Sequence, residues 1–145
     1  MANILRNNVG SVFTVTAGNA VANTSYSVAG DKLAIDNTTN KALLADFTLS
    51  LTFGTAPVAG SIVLFMVDYD LTATTAGAAP SATLLGRYVG TFSPSPAASN
   101  AITTMVLSIN GLAITDKADF YIQNNGTGVS VNTGWVLAAQ CWTPG

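Results

Sequence analysis

Seven aspartates are the whole carboxylate inventory of this 145-residue chain, which has no glutamate and no histidine. Without histidine, neither a Ser/His/Asp nor a Cys/His relay can be built, and the commonest zinc ligand is missing. Asp68 and Asp70 stand two apart in Val-Asp-Tyr-Asp-Leu. On a strand they share one face, about 7 Å apart. Such a pair could bind calcium or split a glycosidic bond, but the preferred reading is a strand end running into solvent. Asp116, Lys117 and Asp119 read as a solvated turn. Cys141 is the single cysteine, so no internal disulfide forms. With no base to pair with, it reads as a small core residue. Gly126-Thr127-Gly128 lacks the lysine of a phosphate-binding loop and reads as a turn. Asn23, Asn37 and Asn125 each open a glycosylation-type triplet. The stretch Met1–Gly10 lacks the apolar core of a secretory leader, however, so synthesis in a host cytoplasm and unmodified polar turns are expected. Trp135 and Trp142 are seven apart and, on a strand, face opposite ways. One belongs in the core; the other is an interface anchor or a sugar platform. No catalytic, cofactor-binding or metal-binding residue emerges, and a non-enzymatic protein is expected.

Charged residues make up 8% of the chain, against about 25% in an average soluble protein. Net charge is −2, and the five cations (Arg6, Lys32, Lys41, Arg87, Lys117) are scattered. Nucleic-acid binding needs clustered cations, so it is not expected. Mean hydropathy is high at +0.44. Yet polar residues and glycine interrupt every apolar run before the ~18 residues of a membrane helix, and no membrane partner is expected. A surface so poor in charge risks association, which suggests that part of it is covered.

The elements that would position these residues are strands. Phe47, Leu49, Leu51 and Phe53 alternate with Thr48, Ser50 and Thr52, the period of a strand with one face buried. Ile62 to Val67 is unbroken and apolar, as in a strand covered on both faces. Further strands are expected at Ser11–Thr16, Thr24–Val28, Leu33–Ile35, Leu84–Phe92, Ile102–Ile109, Ala118–Gln123 and Val129–Trp142, the last kinked at Gly134. Gly86 and Gly90 suggest a bulge or a close backbone approach, and Asn110-Gly111 a turn. The stretch from Leu71 to Thr83 is a long Ala/Thr/Gly-rich loop. About eight strands and no amphipathic helix give an all-β, antiparallel sandwich of jelly-roll type. A single domain is expected over residues 11–145, preceded by an N-terminal arm, residues 1–10.

Two strands carry one apolar face too many for a solitary sandwich. Val63, Phe65 and Val67 alternate with Ile62, Leu64 and Met66, while Trp135 and Leu137 alternate with Val136 and Ala138. The expectation is that Val63, Phe65, Val67, Trp135 and Leu137 build a subunit interface, since burying each large apolar side chain is worth roughly 1.5–3 kcal/mol. A loop folded over the outer face would satisfy the same pattern.

Three stretches, LSLTFGTAPVAGSIVLFMVDYD, GRYVGTF and FYIQNNGTGVS, together spanning about Phe47 to Ser130, resemble a family of small virion proteins of tailed bacteriophages. That family resembles capsid decoration, or cement, proteins. The resemblance implies a β-sandwich or jelly roll on the outer capsid surface, commonly trimeric, bound to the major capsid protein. The arm, with Ile4, Leu5 and Arg6, is then the candidate capsid contact. A receptor- or glycan-binding head of a tail fibre is the rival reading. It calls for exposed aromatics in the end loops, and the stretches 71–83 and 93–101 are poor in them.

Overall fold

The computed structural model describes residues 6–8, 10, 12–69, 75–84, 86–94, 103–113 and 117–145. Its nine strands are β1 (Arg6–Asn8), β2 (Phe13–Gly18), β3 (Leu33–Asp36), β4 (Leu44–Leu51), β5 (Ser61–Asp68), β6 (Arg87–Phe92), β7 (Thr103–Ala113), β8 (Lys117–Asn125) and β9 (Trp135–Pro144). They form two antiparallel sheets, one ordered β1-β9-β4-β7 with β2 also on β9, the other β3-β8-β5-β6. β1 pairs with Trp142–Pro144 and β2 with Trp135–Ala139, so the two occupy successive stretches of one edge of β9. Eight strand positions result, four to a sheet. The chain crosses between sheets in the jelly-roll sequence, with each sheet interleaving early and late strands.

The core lies between the sheets. β4 alternates as expected, and Phe47, Leu49 and Leu51 are buried together with Phe53 beyond its end. Phe47 meets Phe120 from the opposite sheet with ring centroids 4.7 Å apart and a 48° tilt, a favourable offset geometry. Trp135, Leu137, Ala139 and Cys141 line the inner face of β9. The indole of Trp135 donates to the Asn19 carbonyl at 2.8 Å, so its buried N–H is satisfied. Trp142, seven residues on, is half-buried and outward.

Three local expectations change. Thr24–Val28 is not a full strand: Tyr26 makes one bridge to Gln123, and Ser25 and Ser27 bond the backbone of β8 beside it. Asn110-Gly111 does not end β7. The strand runs on to Ala113, but its register against β4 slips between Leu107↔Phe47 and Leu112↔Ala45, so Asn110-Gly111 falls in an unpaired irregularity within the strand. Arg6–Asn8, expected in the arm, pair with β9.

Candidate interaction surface

The outer faces of the two sheets differ. On the four-stranded sheet, β5 is buried along both faces, from Ile62 to Val67. Val63, Phe65 and Val67, the outward residues, are only 7–8% exposed in one copy. Their cover comes from the chain itself. Phe65 lies between the rings of Tyr26 and Tyr88, with centroids at 5.8 and 6.5 Å. The backbone of Gly77 passes so close to Val67 that a Cβ there would sit 2.6 Å from Cγ1, and one on Gly86 would meet Phe65 Cβ at 3.2 Å. The close approach expected of Gly86 is therefore present, and a bulge falls beside Gly90, where the β5–β6 register shifts.

These positions correct the expected subunit interface. Val63, Phe65 and Val67 are hidden by the segment around Tyr26 and the loop from residues 75 to 86. Trp135 and Leu137 are 1% and 0% exposed on the inner face of β9. None of the five is open to a second subunit. Of the capsid-contact candidates, Ile4 and Leu5 lie outside the described residues, and Arg6 sits in β1 opposite Pro144.

The same outer face holds a charged pair that local sequence does not announce. Asp119 was expected in a solvated turn; it is fully buried. Lys32 Nζ stands 2.5 Å from its Oδ2, with the lysine side chain 33% exposed. The Tyr69 hydroxyl is a longer second donor, at 3.4 and 3.5 Å. The hydrogen bond that Lys32 donates to Asp119 raises the lysine pKa above its ordinary value, against a smaller opposing effect of burial. Tyr121 is pushed up chiefly by burial. The carboxylate is thus committed to an ion pair rather than open to a substrate. Asp68 is exposed and pairs with Arg87 at 3.6 Å, while Asp70 and Asp116 lie outside the described residues. The Cys141 thiol is buried and its pKa raised by desolvation, which leaves little reactive thiolate.

The loops after β4 and β8 meet at one end, where Val58 N–H donates to the Thr127 carbonyl at 3.1 Å. Asn124 and Thr127 are both buried and hydrogen-bonded to each other at 2.7 Å. Nearby is a 170 Å³ hollow lined by Pro57, Val58, Ala59, Gly60 and Pro94. None of its lining residues titrates. Asn37, one of the three triplet asparagines, is buried and holds both the N–H and the C=O of Ala42.

The five-stranded sheet presents the contrast. β4 and β9 alternate strictly, and their outward residues, among them Thr48, Ser50, Val136, Ala138 and Gln140, stay partly exposed. The outward Asp46 accepts the Trp142 indole N–H at 3.1 Å. Apart from Asp46, the outward residues of β4 and β9 are uncharged and half-buried. The chain matches no protein-family model and no characterised protein.

Proposed function

We propose that this chain is a non-enzymatic structural protein of a virion, a decoration protein that binds the outer capsid shell through the major capsid protein and assembles as a homotrimer. The observation that carries the reading is the asymmetry of the sandwich. The outer face of β5 is covered by the chain's own segments, while the outward residues of β4 and β9 carry a single charge, Asp46, a surface that suits an assembling scaffold. The jelly-roll strand order, the scarcity of charge and the resemblance of Phe47–Ser130 to phage virion proteins support it. Three of the described carboxylates, Asp36, Asp68 and Asp119, are held in ion pairs with Lys117, Arg87 and Lys32, which suits a scaffold better than a catalyst.

Capsids lacking the protein, incubated with the purified chain, test this. Saturable binding, with density on the outer shell by electron cryomicroscopy, is the expected result. No binding at micromolar concentration, or density confined to the tail, would overturn it. Removing residues 1–5 then probes the arm without stripping β1 from the sheet; retained occupancy would remove Ile4 and Leu5 from the capsid contact.

A further inference from the structure

We propose that the hollow beneath the loop covering β5 binds a free apolar α-amino acid, with its ammonium on Asp68, its carboxylate on Arg87 and its side chain inside. This goes beyond the capsid reading and does not rest on it.

The loop between β5 and β6 is held to the sheet at two points and stands off between them. Near its start Tyr69 bridges Ala76, and the Gly77 N–H donates to the Asp68 carbonyl at 3.1 Å. Gly77 presses on Val67 there. At the far end a Cβ on Gly86 would meet the Met66 carbonyl oxygen at 2.9 Å. Between these points Ser81 and Leu84 exchange backbone hydrogen bonds at 2.7 and 3.3 Å, closing a turn of the loop's own. What remains is an open hollow of 250 Å³ whose apolar wall is made by Met66, Val67, Ala78 and Leu84. An engineered apolar cavity of about 150 Å³ takes benzene, so a side chain of a few carbons fits. Leu84 is 49% exposed at this wall, a large apolar side chain left to water unless something fills the hollow.

Asp68 and Arg87 complete the lining. Their side chains are 42% and 53% exposed, and Arg87 Nη2 stands 3.6 Å from Asp68 Oδ1. The two attract as charges but are too far apart for a hydrogen bond. The same Nη2 reaches the Met66 thioether at 3.6 Å, a weak acceptor. A guanidinium has five N–H donors, so among the described residues Arg87 has donors to spare. A carboxylate alone would meet Asp68 as a like charge, and an ammonium alone would meet Arg87 as one. An α-amino acid carries both groups on one carbon, answers each charge with its opposite, and sends its side chain to the apolar wall. A concave apolar surface with a few convergent polar groups is the usual form of a small-molecule site.

Calorimetric titration of the full chain with leucine tests this. Saturable binding with half-saturation at about 1 mM or below is expected, within the reach of so small a ligand. 4-Methylpentanoate and 3-methylbutylamine keep the apolar body and one charge each. Each should bind at least about tenfold more weakly, having lost one charge-assisted contact. Glycine keeps both charges without the body and should be weaker by a similar factor. Arg87→Gln and Asp68→Asn should each weaken leucine binding about tenfold or more, while Val58→Ser, in the loop before β5, should bind as the wild type does. The four ligands probe the unaltered chain, so the question is answered even if a variant folds poorly. Absence of leucine binding at about 10 mM, glycine, the acid or the amine binding as well as leucine, or a folded R87Q that binds like the wild type would overturn the inference.

Discussion

Removing Lys32 should cost more than removing the charge of Asp119, although the two share one ion pair. The aspartate is fully buried, whereas the lysine side chain is 33% exposed. In Asp119→Asn the ammonium can turn outward to water, and the amide keeps the shape of the site. That loss is a charge-assisted hydrogen bond, about 1.5–3 kcal/mol, nearer the lower figure because the part-exposed ammonium regains water. In Lys32→Met the carboxylate has nowhere to go. Its remaining donor is the Tyr69 hydroxyl at 3.4–3.5 Å, too long to compensate. An unpaired buried charge costs about 3–5 kcal/mol, and the part-exposed partner puts K32M near the lower end, about 3 kcal/mol.

Equilibrium urea unfolding near neutral pH measures both, with Trp135 and Trp142 as fluorescence probes. The expected order is wild type, then D119N, then K32M. A D119N penalty equal to or above that of K32M would refute the argument that solvent access decides which partner matters.

The same pair sets an alkaline limit. Because the folded Lys32 pKa is raised above 10.5, its contribution is complete below that pH and is lost as pH climbs through the higher folded value; the stability difference between wild type and K32M should shrink there, as pH-dependent unfolding would report. Phe47→Ala removes a ring with no exposed surface that stacks on Phe120 across the core, and should cost about 3–5 kcal/mol in urea unfolding. Gly60→Ala should be worse than Gly126→Ala. Both glycines have positive φ, at 71° and 77°, but a Cβ on Gly60 would come within 2.4 Å of the Gly126 backbone, while one on Gly126 meets nothing within 4 Å. G126A should lose about 1 kcal/mol from conformation alone, and G60A clearly more, read as the larger drop in thermal midpoint.

The class of fold was legible because burial on one face writes a period of two directly into the residue types. Phe47, Leu49 and Leu51 needed no partner to be named before they could be placed. The turn chemistry at Asp36–Asn40 was equally local: Asn37 and Asp36 satisfy nearby backbone groups through their own side chains. What stayed hidden was long-range. Lys32 and Asp119 are 87 residues apart, and nothing near Asp119 distinguishes a charge covered by another segment from one in water. At Asn110-Gly111 the turn signal falls where β7 leaves its register with β4: residues 108–111 have no partner there, and pairing resumes at Leu112.

The candidate surface was misread for a related physical reason. An unbroken apolar strand reveals that both its faces are dry, but not what dries them. Ile62–Val67 fits a subunit interface and a self-made cover equally well. The cover consists of Tyr26, Tyr88 and a glycine-rich stretch without hydrophobic period, and Gly77 and Gly86 act there through the side chains they lack. Once the chain has hidden the outer side chains of β5, those residues no longer mark a contact. The remaining signal is the absence of charge, and it falls on the sheet whose strict alternation made it look ordinary. Thr48, Ser50 and Ala138 are residues that water tolerates and that a partner can displace it from at little cost. A contact through such a face would be weaker per unit area than one through Phe65 or Trp135.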